Sequence, residues 1–265
     1  MIKLALALTY ASRRILVNPV SAFMFFLKGQ HGSTGSDLGK FHLANMQFYA
    51  RFKDWCAVQE VALEQEYSFV ESVLGNESSL TIVDLGANIG MFSMYVLSLW
   101  PSAIVHSLEP SQHTYQVLER NRLANPGLNW HNYHYAAWKT DGQMRFENRE
   151  YSTSSRIGAE GAGDEVVPAI SLTTLLSQHV CVPVDLMKMD IEGAEEAVLC
   201  GSETALRSVD RLVVEVHPQL CDQDRVIAVL RSTYDFLYRI PGRRSAKPLL
   251  LASHQPYPFP DYSLT

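Results

Sequence analysis

Three acidic residues stand directly after apolar, strand-like runs of the chain. They are Asp84, Glu109 and Asp190, and a turn and a helix-like segment follow each of them. Strand, turn and helix form the repeating unit of a doubly wound α/β domain, in which ligands bind at the carboxyl ends of the parallel strands. We therefore expect the three carboxylates to meet at one edge of a sheet. There they can hold an ammonium group, accept a hydroxyl proton or ligate a divalent cation.

The loop after the first strand is rich in small residues. A dinucleotide site prefers G-x-G-x-x-G, but Asn88 stands at the second glycine position, and the carboxylate of Asp84 would repel a pyrophosphate. A ligand that carries an ammonium group fits better. The pattern D-x-G-x-N-x-G resembles the first motif of S-adenosylmethionine-dependent methyltransferases. We therefore assign cofactor binding to Asp84, Gly86, Ala87, Asn88 and Gly90.

The second and third strands add two cofactor candidates. Glu109 follows Gly86 by 23 positions, at the tip of the neighbouring strand. A carboxylate there can accept hydrogen bonds from both hydroxyls of a ribose. The alternative is that Glu109 caps the next helix, a role that Ser111 can also fill. We favour the ribose role. Ala137 ends the third predicted strand, and its small side chain leaves room for an adenine ring.

Asp190, Glu192 and His217 are the catalytic candidates. Asp190 precedes its turn, so it lacks the structural reason that Glu192 has at the start of a helix. His217 ends the next strand and is the natural base, because the unperturbed pKa of histidine lies near neutrality. Asp190 can be the base instead. Alternatively, these acids and Glu215 orient sugar hydroxyls or hold a divalent cation, so the metal assignment stays open.

Length, composition and periodicity limit the classes of protein. The chain has 265 residues, of which 47% are hydrophobic and 19% charged, which suits one large α/β domain with an N-terminal extension. A net charge of -6 without a basic stripe argues against nucleic-acid binding. The four cysteines lack C-x-x-C spacing, which favours the reducing cytoplasm. Periodicity predicts one helix from Trp55 to Leu74 and a third strand from Asn129 to Ala137.

Residues 1–27 contain two apolar runs that are too short to span a membrane. One interpretation is a pair of amphipathic helices that cover a hydrophobic groove of this chain or of a partner chain, which leaves a homo-oligomer open. The other is peripheral membrane contact through an anchor on the membrane surface. We favour the first interpretation.

Four segments together resemble the FkbM-type methyltransferase family. They are Val83–Gly90, Glu109-Pro110, Leu186–Glu195 and Val214–Pro218, and the similarity covers about residues 80 to 240. The most specific part is K-x-D-x-E-G-x-E after the fourth core strand. The resemblance implies the class I methyltransferase fold, a Rossmann-like, doubly wound, seven-stranded and mostly parallel sheet whose last strand is antiparallel. It also implies S-adenosylmethionine as the cofactor.

The resemblance further implies an activity and a domain plan. Many relatives look like O-methyltransferases that act on a hydroxyl of a sugar, glycan or natural-product acceptor. We divide the chain into an apolar, helical N-terminal extension, a Rossmann-like methyltransferase domain and a proline-rich tail, at residues 1–54, 55–255 and 256–265.

Two other functions compete with this one. An NAD-dependent oxidoreductase is disfavoured by Asn88 and by the acid at the strand tip, Asp84. A non-catalytic or membrane-docked adaptor of the same fold is disfavoured by the intact cofactor residues. Discrimination among acceptors is expected in the loop from Tyr151 to Ile170, in the N-terminal segment and in the turn from Pro241 to Lys247, for which the sequence has no recognisable code.

Overall fold

The computed structural model describes residues 38–148, 156–157, 163, 165–180, 183–241 and 247–262. The strands within these residues are β1 (Gly39–Leu43), β2 (Met46–Ala50), β3 (Thr81–Leu85), β4 (Ile104–Leu108), β5 (Asn129–Tyr133), β6 (Ala136–Ala137), β7 (Gly142–Glu147), β8 (Arg156–Ile157), β9 (Glu165–Ile170), β10 (Leu186–Met189), β11 (Arg211–Glu215), β12 (Phe236–Arg239) and β13 (Leu249–Ser253). The α-helices are α1 (Trp55–Val58), α2 (Val70–Leu74), α3 (Met91–Leu99), α4 (Gln112–Leu123), α5 (Leu172–Gln178), α6 (Glu195–Leu199), α7 (Glu203–Leu206) and α8 (Gln223–Thr233).

The central sheet has seven strands in the order β12-β13-β11-β10-β3-β4-β5. The strands from β11 to β5 are parallel, and β13 runs antiparallel to both of its neighbours. Ile82 packs into the core on one face, and Val83 and Leu85 pack into the core on the other. A strand that is buried on both faces needs a continuous apolar run, which is the pattern that predicted it. The predicted class I methyltransferase topology is confirmed.

Helices cover both faces of this sheet. The first core includes residues of α2, α3 and α4, and the second includes residues of α5, α6, α7 and α8. Among the described residues, no helix is both long and apolar enough to cross a membrane.

The third predicted strand divides between two sheets. It leaves the central sheet after Tyr133, and Ala136 and Ala137 pair with Ala169 and Ile170 in a four-stranded sheet of order β6-β9-β7-β8. The prediction of one strand from Asn129 to Ala137 is therefore wrong at this point. The ring of His134, whose Nε2 lies 2.7 Å from the carbonyl oxygen of Pro110, stands where the chain changes sheets.

The described part of the predicted N-terminal extension differs from its helical prediction. Strands β1 and β2 form an antiparallel hairpin. Phe41, Leu43, Met46 and Phe48 are buried, and residues between them are more exposed within each strand, which is the period of two of a strand. The hairpin packs into the first core, so this segment is part of the domain. Residues 1–37 lie outside the described residues, and the interpretations of their apolar runs stay predictions.

The predicted helix from Trp55 to Leu74 is interrupted. Helix α1 continues as a π-helical turn over Gln59–Leu63, and helix α2 begins only at Val70. The break includes Gln65, whose φ of 54° is incompatible with a right-handed helix. The residues around the break come to lie above the carboxyl ends of the strands, where Glu60, Val61 and Tyr67 line a cavity.

The described part of the proline-rich tail packs on the domain. The hydroxyl of Tyr257 donates to the carbonyl oxygen of Val73 at 3.1 Å and accepts from Nε of Arg211 at 2.6 Å. Phe259 packs against the first core together with Tyr257. Residues 256–262 therefore extend the packed structure beyond the predicted domain limit at 255.

Candidate active site

A cavity opens at the carboxyl ends of β3, β4 and β10, at the edge where the sequence predicts a ligand. Seven of the predicted site residues line it, and they come from both halves of the sheet: Gly86, Ala87, Asn88, Glu109, Ala137, Asp190 and Glu192. The other predicted residues, Asp84, Gly90 and His217, do not line the cavity and are buried or packed beneath its wall. The predicted residues thus separate into a wall and a supporting layer.

Asp84 belongs to the supporting layer. It has no exposed surface, its Oδ2 accepts a hydrogen bond from Oγ of Ser93 at 2.7 Å, and its Oδ1 lies 3.3 Å from Nζ of Lys188. A carboxylate in this position does not face an ammonium group in the cavity, contrary to the direct contact that the sequence predicted. It anchors the cation of Lys188 under the glycine loop instead.

Lys188 connects this layer to the glycine loop. Its Nζ donates to the carbonyl oxygen of Gly86 at 2.9 Å and lies 3.9 Å from Oδ2 of Asp190. Burial alone would lower the pKa of the Lys188 ammonium, but the carboxylates of Asp84 and Asp190 outweigh burial and raise it. Removing either partner of a buried ion pair leaves the other charge uncompensated. The position of the loop therefore depends on Lys188 and Asp84 together, because Lys188 contacts the loop and Asp84 balances its charge.

The glycines of the loop are required by packing. Gly86 has a φ of +75°, and a Cβ on it would lie 1.9 Å from the backbone oxygen of Asp190. Gly90 has a φ of +88°, and a Cβ there would lie 2.5 Å from the ring of Trp130. Each glycine admits a neighbouring group that any side chain would displace. Gly90 thus serves the fold, whereas Gly86 also forms part of the cavity wall.

Glu109 makes the contact at the start of the helix that the sequence offered as one alternative, and it also lines the cavity. Its Oε2 accepts from the backbone N–H of Asn88 at 3.0 Å, and its Oε1 accepts from the backbone N–H of Ser111, the residue before α4, at 2.9 Å. The side chain also lines the cavity. Burial raises the pKa of Glu109 to about 7, although the two backbone hydrogen bonds lower it. The carboxylate therefore joins the loop to the helix and remains within reach of a ligand.

His217 is enclosed by acids. Its side chain is 1% exposed, its Nδ1 lies 2.8 Å from Oε1 of Glu195, and its Nε2 lies 3.2 Å from Oε2 of Glu192. Oδ1 of Asp190 is 3.9 Å from the same Nε2. Burial alone would lower the pKa of the imidazole, but Glu192 and Glu195 outweigh burial and raise it to about 10. An imidazole that is charged at neutral pH cannot accept a proton, so this arrangement argues against His217 as the base.

Three further residues lie at the site although the sequence did not predict them there. Lys188 had a signal, because a lysine within an otherwise apolar strand is rarely buried without a partner. Glu195 is fully buried and contacts His217. Its place at the start of α6 also suits the helix dipole, so the sequence did not indicate the contact with the histidine. Tyr67 had no signal, since it fitted the period of a helix that the structure interrupts.

Comparison with known proteins identifies the family. A sequence profile described as the Methyltransferase FkbM domain matches residues 84–240. The hexuronic acid methyltransferase AglP of Haloferax volcanii is 27% identical over 141 residues, which make up 53% of this chain and 57% of that protein. Methyltransferase 1 of Beauveria bassiana is 28% identical over 170 residues, 53% of this chain and 64% of that protein. The chain thus spans less than two thirds of each relative.

Solved structures of methyltransferases are also similar to the chain. The N-terminal domain of human METTL16 in complex with SAH has 8% sequence identity and a TM-score of 0.48, over 73% of this chain and 70% of that one. Magnesium protoporphyrin IX methyltransferase (ChlM) from Synechocystis PCC 6803 with bound SAM has 13% identity and a TM-score of 0.44, over 72% and 79%. Because the family profile spans more than half of the chain, including the glycine loop and the Asp190 turn, the protein belongs to the FkbM methyltransferase family.

Proposed function

We propose that this protein transfers a methyl group from S-adenosylmethionine to a hydroxyl oxygen of a sugar acceptor. The observation that carries the proposal is the cavity itself, which has the glycine loop and Glu109 in its wall together with Asp190 and Glu192. One part suits an adenosyl ligand and the other suits hydroxyl groups. The name of the relative that acts on hexuronic acid supports a sugar as the acceptor.

The cofactor half of the cavity is formed by the loop after β3 and the end of β4. S-adenosylmethionine would supply an electrophilic methyl group on a sulfonium. Glu109 lines the cavity with a carboxylate that can accept hydrogen bonds from ribose hydroxyls. The small side chain of Ala137 leaves space for the adenine ring at the adjacent wall. Asp84 and Lys188 act indirectly, because they hold the Gly86 carbonyl and with it the course of the loop.

The acceptor half is centred on Asp190. Its side chain lines the cavity and is 24% exposed. A carboxylate at the surface of the cavity can accept the hydroxyl proton of an acceptor, and a neutral hydroxyl is a poor nucleophile until it begins to lose that proton. Transfer between two bound ligands mainly needs alignment of oxygen, methyl carbon and sulfur, which a rigid strand end provides. We therefore assign proton acceptance or acceptor orientation to Asp190 rather than to His217.

Calorimetric titration tests the cofactor assignment. We expect S-adenosylmethionine and its demethylated product each to bind with a dissociation constant of about 1 to 100 µM, because the loop and Glu109 are already arranged in the free protein. NAD, titrated in parallel, is expected not to bind. Tight binding of NAD without binding of S-adenosylmethionine would restore the oxidoreductase alternative. Cofactor binding without turnover on a panel of uronic acids and other hydroxylated sugars would favour the non-catalytic adaptor.

The pKa of Glu109 predicts how the cofactor affinity changes with pH. Below its pKa of about 7, the carboxyl is protonated and must lose its proton to accept hydroxyl donors. Binding then releases a proton, so the dissociation constant should fall by up to about tenfold per pH unit from 5.5 to 7 and level off above. In Glu109→Gln this slope should vanish, and affinity at pH 8 should fall by about tenfold. Calorimetry across pH 5.5 to 8.5 measures both; a slope that persists in Glu109→Gln contradicts the ribose role.

A further inference from the structure

Three side chains at the base of the acceptor half converge on one point. They are Asp190 at the end of β10, Glu192 in the following turn and His217 after β11. Each offers one ligand atom, and these atoms all lie within 4.8 Å of one another. We call these three residues the Asp–Glu–His cluster. Since they come from neighbouring strands, the register of the sheet fixes their spacing.

Two atoms of the cluster are buried without a hydrogen bond. Among the described residues, Nε2 of His217 and Oδ1 of Asp190 have no hydrogen-bond partner, although the imidazole is 1% exposed. The contact of 3.2 Å between Nε2 and Oε2 of Glu192 is short, but it lacks the direction of a hydrogen bond. Leaving a buried polar atom without a hydrogen bond is unfavourable, because the atom loses its contacts with water. Two such atoms that face each other would be stabilised by a polar ligand or a cation bound between them.

The distances suit a small cation as that group. Two ligand atoms at right angles around an ion with bonds of about 2.1 Å are about 3.0 Å apart, and opposite ligands are about 4.2 Å apart. The contacts from Nε2 of His217 to Glu192 and Asp190, 3.2 and 3.9 Å, fall between these limits. One imidazole with two carboxylates is a mixed nitrogen and oxygen donor set, which suits Mn²⁺ better than Mg²⁺, because Mg²⁺ takes oxygen ligands.

The surroundings of the cluster support the same assignment. Glu195 is fully buried and lies 2.8 Å from Nδ1 of His217. When a metal binds, the Nε2 proton of His217 is released, and a carboxylate at the far nitrogen then orients the ring so that the Nε2 lone pair points toward the metal. Lys247 lies 3.2 Å from Oε1 of Glu192 and 3.6 Å from Oε1 of Glu215, and so fixes the carboxylates from outside.

The charges around the cluster are predominantly acidic. Among the described residues, five carboxylates and three cationic groups, counting His217 as an imidazolium, form the ion-pair network of this site: Asp84, Asp190, Glu192, Glu195, Glu215, Lys188, Lys247 and His217. A divalent cation would replace the Nε2 proton of His217 and add positive charge at the point where the acids converge. Carboxylates held this close repel each other unless a cation lies among them.

We propose that Asp190, Glu192 and His217 bind one divalent transition-metal cation such as Mn²⁺, with coordination positions open toward the cavity. The role of this ion rests on the proposed function: it would bind an oxygen of the sugar acceptor, and so select acceptors that present a hydroxyl next to a second oxygen. A bound cation also makes a hydroxyl more acidic, which helps it to react at neutral pH.

Titration of the full chain with Mn²⁺ tests the cation site without any turnover. The free ion is followed by electron paramagnetic resonance, with and without the demethylated cofactor. We expect one equivalent to bind with a dissociation constant below about 1 mM, and Glu192→Gln to weaken binding at least tenfold. Glu196→Gln is the matched control, because this acid lies four positions further along the chain, in α6, and contacts Arg225 instead of the cluster. A thermal melt checks that each variant folds.

The outcomes separate the cation site from the proposed function. Binding that Glu192→Gln weakens and Glu196→Gln leaves unchanged supports the site. Absence of Mn²⁺ binding in both cofactor states overturns it, and so does equal weakening by the two variants. Binding of the demethylated cofactor is measured on the same samples. If it binds and Mn²⁺ does not, the cation site alone fails; if only Mn²⁺ binds, the cofactor assignment fails and the metal site stands.

Discussion

Replacing Asp190 by Asn is expected to lower kcat by at least about 10³-fold while the affinity for the demethylated cofactor stays within about tenfold. The Asp190 carboxylate lines the cavity and is 24% exposed, and its buried Oδ1 is the oxygen without a hydrogen bond among the described residues. An amide of the same shape can neither accept the hydroxyl proton nor ligate a cation strongly. The cofactor half is formed by other residues, so binding there should survive.

Asp185→Asn is the matched control for this variant. Asp185 precedes the same strand, β10, and its Oδ2 accepts from the backbone N–H of Thr81, which an amide oxygen can also do. The activity of Asp185→Asn should stay within about threefold of that of the parent protein, since Asp185 lies at the opposite end of the strand from Asp190. Activity is measured by release of the demethylated cofactor with an accepted sugar. Full activity of Asp190→Asn would remove Asp190 from the reaction and leave the acceptor half without an assigned residue.

Replacing Gly86 by Ala is expected to cost about 3 to 5 kcal/mol of the free energy of unfolding and to weaken cofactor binding at least 100-fold. The added Cβ would lie 1.9 Å from the backbone oxygen of Asp190, and backbone cannot move aside as a flexible side chain can. Relief of the clash requires β3 and β10 to separate at their ends. That movement also displaces the Gly86 carbonyl from Lys188, and so disturbs the loop to which we assign cofactor binding.

Gly201→Ala is the control that measures the cost of backbone strain without a steric clash. Gly201 also has a positive φ, +88°, but a Cβ there would have no neighbour within 4 Å. Its substitution should therefore cost only the conformational strain of about 1 kcal/mol and leave cofactor binding unchanged. Urea unfolding gives the two costs, and calorimetry gives the affinities. Equal costs for the two variants would mean that the contact between Gly86 and the Asp190 backbone does not limit stability.

Local patterns were enough to predict the sheet and the edge at which the cavity opens. Buried parallel strands must be apolar on both faces, and an acid that ends such a run must emerge at the carboxyl edge, so Glu109 and Asp190 were found without a structure. The hairpin over Gly39–Ala50 was missed although its period of two was present. The apolar runs of residues 1–27 predicted helices for the N-terminal extension instead.

The sequence alone determined the fold, the family and the edge of the sheet at which the cavity opens, because these depend on the order of short segments. Only the tertiary structure decided which acids face the cavity. Lys188 meets the loop at Gly86, 102 positions away, because β3 and β10 are adjacent, and this contact keeps Asp84 beneath the wall. His217 is enclosed by Glu192 and Glu195 because β10 and β11 are also adjacent. The charge and function of a polar side chain depend on partners that only packing brings together.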